Sequence, residues 1–558
     1  MLRCVSFFQP SVSVDFFVVS IVLQKWQNVN NFVLVHWRCW QLFCIFFAKT
    51  CHLGEFCIET TANCHFCKQE NLQVKVYFAQ TFGNTSNMTQ SILQQLLQHY
   101  NNCDDVKIRT VCCGQQFSVV LLETMCNDQK VCDFVLHPLL MQQNAKTLQD
   151  VEQQLALSVG TKTPCNFFEV LSDFSNGYTL VFDQEGNNCV AVDTRIALGR
   201  AVIEPPTSMV MRGPREGFVE DAKSNVTLLR KRLKTPNFKV VNLCVGKFTN
   251  TLVSVCYLEN VADKSVVDKV ILQVQSVCID GLLDSSYLAR YLDGNKTLLF
   301  RRVGSTEKPD VAVGKMLEGR VAIVVDGSPM VLTVPYLYIE DLQSPGDYYE
   351  NSSMTTINRI FRFVSVLMSV LLPSLYVCLQ MYNYQIIPFK FLVTILNATN
   401  TIPFSPFTEM LLVLVIFDIL REANLRMPSA VGISLSLVGA IVLGDAAVKA
   451  GLIGAPAVMI GALSGIGLFT MPDNTLVLSL LRLAITFVGG IAGIVGVLVC
   501  TTVITLYLAS LQNYKTPFLA PFTPDIPQDR QDGVAKTATE KMKTRPRSIP
   551  NTNKTRRG

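Results

Sequence analysis

The chain has 558 residues, of which 49% are hydrophobic and only 16% charged, and its mean hydropathy is +0.32. About a quarter of an ordinary soluble chain is charged, so this balance excludes a wholly soluble protein, and the apolar content excludes a disordered one. The net charge of +5 is local: residues 512–558 carry ten Lys/Arg against four Asp/Glu, which leaves the rest at −1. Nothing in that distribution calls for a nucleic-acid partner.

Residues 1–72 differ in composition from the rest of the chain. They hold seven of the nineteen Cys and all three Trp (Trp26, Trp37, Trp40). Two apolar runs lie near Phe16–Leu23 and Phe32–Ala48, the second interrupted by His36 and Arg38, which is marginal for a membrane span. Cys51, His52, Cys57, Cys64, His65 and Cys67 offer zinc-type ligands, but a zinc ribbon needs a second CxxC at a suitable distance. The composition favours upstream sequence brought in by an early start over a transmembrane leader or a zinc site. The remaining Cys are scattered without framework spacing, which suits a reducing compartment.

Residues 74–350 read as a duplicated α/β unit. In the first copy (74–200), Lys107–Val111 and Gln116–Glu123 alternate as paired strands about Gly114, and a helix Asp128–Met141 comes next. Helix Phe167–Phe174 then stops at Asn176-Gly177, before strands Tyr178–Phe182 and Asn188–Asp193. The second copy (236–350) repeats this order with strands Phe238–Val245 and Leu252–Glu259 and a helix Asp263–Val274. Helix Pro309–Glu318 and strands Arg320–Val325 and Met330–Val334 complete it. Between the copies, a linker at 201–235 holds Met211, Arg212, Gly213, Pro214, Arg215, Glu216, Gly217 and Phe218, then a charged helix from Glu220 to Leu233. The motif can grip a phosphate or a neighbouring subunit; the residues alone favour an interdomain hinge with a solvated helix.

Hydropathy rises after Tyr349, and residues 357–511 read as an all-α membrane domain. Ile357–Met381 is long enough for one span. Ile386–Leu396 and the helix Glu409–Arg426 form a re-entrant or interfacial element. Ser429–Leu443, Leu452–Met471 and Leu483–Leu511 make up the expected four spans. An even number puts both ends on the cytoplasmic side, as Arg359, Arg362 and the basic tail at 512–558 suggest.

Charges inside an apolar half are expensive and candidates for function. They are Glu409, Asp418, Arg421, Glu422 and Arg426, with Asp445 and Lys449 four apart on one helical face. Gly461 with Gly465, and Gly489 with Gly493, form small-xxx-small pairs. Such pairs permit close helix packing, within one chain or between copies.

Eight segments carry a family resemblance. They are Phe82–Ser86, Met211–Phe218, Ile279–Ser285, Glu307–Val311, Leu317–Gly327, Gln343–Tyr349, Glu409–Pro428 and Lys541–Arg547. In this order they resemble the A subunits of spore germinant receptors, the GerA family, from about residue 74 to the end. Asp418 stands where the family usually has Glu, and Asp445 and Lys449 where it tends to have Gln and Glu.

The resemblance implies a multi-pass protein of the spore inner membrane, with its soluble domain cytoplasmic. It implies a transporter-like B subunit and a lipoprotein C subunit as partners, and oligomerisation into an ion-conducting pore gated by nutrient. The seven charges would line or gate that pore, and Arg212–Phe218 would couple copies or subunits. The alternative is a paralogue with an accessory role in ion release; a transporter fits less well, since the repeat lies in the soluble half. No GxSxG, HExxH or Walker loop occurs, so the expectation is no enzyme and no cofactor.

Overall fold

The computed structural model describes residues 91–556 apart from 114, 142–146, 157–158, 197–211, 295–298, 401, 427, 429–438 and 440. The readings placed on residues 1–72, Phe82–Ser86 and most of Ser429–Leu443 lie outside the described residues.

The duplication is borne out strand by strand. In the first unit, β1 (Val106–Cys113), β2 (Gln115–Leu122), β3 (Thr161–Lys162), β4 (Thr179–Phe182) and β5 (Cys189–Val192) form a sheet of order β1-β2-β4-β5-β3. In the second, β6 (Phe238–Val245), β7 (Thr251–Leu258), β8 (Gly304–Thr306), β9 (Val321–Val325) and β10 (Val331–Val334) repeat it as β6-β7-β9-β10-β8. All neighbours pair antiparallel. The short edge strands β3 and β8 are not legible in the sequence, because two or three residues carry no alternation.

Each central strand is buried on both faces, since helices cover both. In the first sheet, helices α1 (Ile92–His99) and α4 (Phe167–Ser175) pack on one face. On the other lie α2, a run of three contiguous helical pieces (Asp128–Val131, Cys132–Leu136, His137–Met141), and α3 (Leu148–Ala156). The second sheet is covered by α5 (Ala222–Arg232) and α8 (Pro309–Leu317) on one side. Helices α6 (Lys264–Gln275) and α7 (Ser285–Leu292) cover the other. Helices α4 and α8 both stop at a glycine in the left-handed region, Gly177 (φ 91°) and Gly319 (φ 107°). A Cβ there would sit 2.9 Å from Met125 and 3.0 Å from Asn551 respectively, so only glycine suits both the φ and the space.

The linker helix corrects an expectation. Helix α5 is not solvated: Ala222, Val226, Leu228 and Leu229 belong to the second unit's core. Its polar residues reach the first unit. Arg230 donates to Asp105 from Nε (2.7 Å) and Nη2 (2.8 Å), with both side chains buried. Lys239 Nζ donates to the His99 carbonyl at 2.7 Å, and the Asn242 N–H to Asp104 Oδ2 at 2.7 Å. The two units are welded, not hinged, at this face.

The apolar half begins with α9 (Ser352–Met381), followed by α10 (Phe389–Thr399), α11 (Pro406–Arg426), α12 (Ala455–Leu468) and α13 (Thr475–Ser510). Among the described residues, two stretches suffice by length and composition to cross a membrane: Ser352–Met381 and Pro472–Ser510. The second is folded. Gly493 has φ 64° and ψ −157°, which is not helical. A Cβ on Gly489 would lie 3.0 Å from Val497, and Leu481 packs in one cluster with Leu508. A straight helix would separate the latter pair by roughly 40 Å. The final run, expected as one span, is therefore a hairpin of two stretches, 475–492 and 494–510. Each is about 27 Å long, near the hydrocarbon thickness of a bilayer.

The second α/β unit holds both ends of that hairpin through neighbouring arginines. Arg301 Nη2 donates to Asp341 (2.9 Å) and to Asp473 (2.6 Å) just before α13. Arg302 Nη1 donates to the Gln512 carbonyl at 2.9 Å just after it. The basic tail packs back on the second unit: Tyr514 lies in its core, and Arg545 Nε donates to the Leu317 carbonyl at 2.7 Å.

Candidate functional site: a polar track through the apolar helices

The charges predicted on the apolar half do not form one cluster. Glu409, one turn into α11, is buried, and its Oε1 accepts the Gly454 N–H at 2.6 Å. Gly454 is the N-cap of α12, so the carboxylate sits at the positive end of that helix dipole. Glu422 and Arg426 pair at 2.7 Å on an exposed face, and Asp445 and Lys449 do likewise at 2.7 Å. These are exposed i,i+4 pairs.

Asp418 and Arg421 belong to a different assembly, completed by a residue missed in the sequence. Asp418 Oδ1 accepts Arg482 Nη2 at 2.9 Å, and its Oδ2 accepts Ser479 Oγ at 2.6 Å. Arg421 Nη1 lies 3.4 Å from the same carboxylate. Arg482 Nη1 donates to Ser464 Oγ at 3.0 Å, and Ser464 Oγ donates to the Ser369 carbonyl at 2.6 Å. One continuous track thus joins α11, α13, α12 and α9. Arg482 is wholly buried, and its Nε has no hydrogen-bond partner. The missed signal was a lone arginine amid Leu476–Ile485; placing the start of the last span at Leu483 left it outside.

The predicted glycines divide. A Cβ on Gly461 would come within 2.6 Å of Val413, and one on Gly489 within 3.0 Å of Cys378. Gly493 makes the hairpin fold. These three serve packing inside the chain. Gly465 has nothing within 4 Å.

The Arg212–Phe218 loop joins the second unit to the entrance of the apolar half. Gly213 (φ 124°) lies against the Tyr349 ring, where a Cβ would approach to 2.7 Å. Tyr349 OH donates to Asp310 Oδ2 at 2.6 Å, and burial with that bond pushes its phenol above the ordinary range. Glu216 pairs with Arg232 at 2.8 Å, and the Phe218 N–H donates to the Glu307 carbonyl at 2.7 Å. Arg212 and Arg215 are exposed, Pro214 half-buried and Gly217 buried. Residues from Met211–Phe218, Glu307–Val311 and Gln343–Tyr349 therefore meet at one joint. Among the described residues, no group of three or more His, Cys, Asp or Glu is placed to hold a metal ion.

A duplicated α/β unit coupled through such a joint to apolar helices has relatives over nearly its whole described length. The family model described as the Bacillus/Clostridium GerA spore germination protein matches residues 91–548. The chain belongs to the GerA family. Spore germination protein KA of Bacillus subtilis (strain 168) is 30% identical over 81% of this chain and 85% of its own length. Spore germination protein B1 of the same organism is 28% identical over 82% and 96%. An uncharacterized membrane protein, YfkQ, also from Bacillus subtilis, is 31% identical over 77% and 85%. Among solved structures, the N-terminal domain of the A subunit of the Bacillus megaterium germinant receptor GerK3 is 22% identical. It covers 46% of this chain and 99% of its own, with a TM-score of 0.35.

Proposed function

We propose that this chain is the A subunit of a nutrient germinant receptor in the spore inner membrane, with its soluble units and tail on the cytoplasmic side. It works with a transporter-like B subunit and a lipoprotein C subunit, and copies of it assemble into an ion-conducting oligomer. Nutrient binding converts to ion release because it is stronger in one state of the assembly than in the other. The GerA family match across residues 91–548 supports the reading most directly. The Arg301–Asp473 and Arg302–Gln512 contacts support a transmission role, since both ends of the α13 hairpin are held by the α/β part. A rigid body moving at that grip carries the hairpin with it.

On this reading Asp418 and Arg421, with Arg482, set the relative position of four apolar helices. Glu409 holds the start of α12. Glu422, Arg426, Asp445 and Lys449 lie on exposed faces, available to lipid headgroups or a second copy. The test is ion release from spores lacking the gene and complemented with Asp418→Asn. Deletion should abolish the response to at least one nutrient, and the variant should change its rate. Unaltered release from the deletion strain across a nutrient panel refutes the reading.

A further inference from the structure

The C-terminal segment after α13 does more than close the chain. Its far end is fastened to the second unit by the Thr552 N–H, which donates to the Val261 carbonyl at 2.9 Å. Midway, it passes against the first turns of α9, where Arg359 is buried. Arg359 Nε donates to Asp347 Oδ2 at 3.0 Å, while its Nη1 donates to Asp532 Oδ1 at 2.9 Å and to the Gly533 carbonyl at 2.7 Å. Tyr348 OH donates to Asp532 Oδ2 at 2.9 Å. On the other side, Arg362 donates to both oxygens of Asp347, at 2.8 and 2.9 Å. Charges therefore alternate along a line, Arg362–Asp347–Arg359–Asp532.

Such an alternation has a consequence that an isolated buried pair lacks. Removing the only counter-charge of a buried guanidinium strands it in low dielectric. Arg230 is in that position, with Asp105 as its one carboxylate partner among the described residues. Arg359 is not: if Asp532 departs, Asp347 remains as a counter-charge, shared with the partly exposed Arg362. Asp532 is 23% exposed at its side chain, so it exchanges the guanidinium for water with little rearrangement.

We propose that Asp532 is the releasable half of a latch, which ties the C-terminal segment to α9 in the resting protein and lets go when α9 shifts against the second α/β unit. The latch gives the helix two discrete arrangements, one held by both carboxylates and one by Asp347 alone. A switching element needs such bistability. The proposal rests on the germination reading above for what the shift accomplishes.

Two measurements on the full-length protein test it. In detergent, trypsin cleaves after the exposed Lys541 and Lys543 only when the segment opens locally. Asp532→Asn should raise the initial cleavage rate about tenfold, and Tyr348→Phe, which removes one hydroxyl donor, about threefold. Asp532→Glu and Asp525→Asn, the latter in a surface pair with Arg530, should stay near wild type. In spores, Asp532→Asn and Tyr348→Phe should release ions faster or at lower nutrient than wild type. Cleavage unchanged in both variants overturns the latch, and so does faster cleavage with wild-type release. Deletion spores that respond normally refute the germination reading instead, and the cleavage rates then still decide whether Asp532 ties the tail. Should Asp532→Asn fail to accumulate, Tyr348→Phe carries the same comparison.

Discussion

The weld between the two α/β units gives the sharpest quantitative prediction. In Arg230→Met, Asp105 keeps Thr124 Oγ1 at 2.8 Å but loses both guanidinium contacts. The carboxylate is 1% exposed, so water cannot replace the lost partner without opening the interface. Removing one member of a buried pair costs about 3–5 kcal/mol, whereas replacing both with apolar groups is close to neutral. At about 2–4 °C per kcal/mol for a body of this size, Arg230→Met should melt roughly 6–20 °C lower. Arg230→Met with Asp105→Leu should recover most of that loss. The assay is thermal unfolding of the detergent-solubilised full chain, followed by labelling of Cys256, a fully buried thiol in the second unit's core. Equal melting of the single and double variants would refute the argument. The Asp105 charge would then not be the quantity at stake.

Local geometry supplies the other predictions. Gly493→Ala places a Cβ at φ 64°, ψ −157°, a conformation essentially reserved for glycine, and should destabilise the hairpin by about 1–3 kcal/mol; unchanged melting would argue against the fold-back. Arg482→Met leaves Asp418 with Ser479 and Arg421 as partners. It should lower detergent stability by about 1–2 kcal/mol, less than the Arg230 variant, and a larger loss would contradict that ranking. For Asp347, burial raises its carboxyl pKa, but the hydrogen bonds from Arg362 and Arg359 outweigh it and hold the group below the ordinary carboxylate range. Its stabilising contribution is therefore present above the unfolded value near 3.9 and is lost as pH falls through the lower folded value. The melting temperature of the full chain in detergent should keep its Asp347-dependent part from pH 7 to about 4 and lose it as the pH falls below that window. Asp347→Asn should lack that step.

Much of the architecture is legible because period and punctuation agree. Strand Phe238–Val245 can be read to the residue, since β-branched and apolar residues dominate it up to Gly246. Helix ends at Gly177 and Gly319 are readable because their positive φ demands glycine in both copies. The four acidic or basic residues from Asp418 to Arg426 stand out as costly in an apolar run, and Glu422 and Arg426 pair with each other four positions apart, but the distant partner of Asp418 does not stand out. Arg482 lies 64 positions from Asp418 in sequence, and no local pattern links the two.

Composition and hydropathy alone established an α/β duplication ahead of an apolar helical half, and located the excess positive charge in the last stretch. Both are properties of neighbouring residues, and the chain's own periodicity displays them. Tertiary structure decided the rest. It folded the last apolar run at Gly493, buried the linker helix between two sheets, and returned the basic tail to the second unit. Each of these depends on contacts between residues far apart in sequence, where desolvation of a few charges, such as Asp105, Arg359 and Arg482, requires one particular partner.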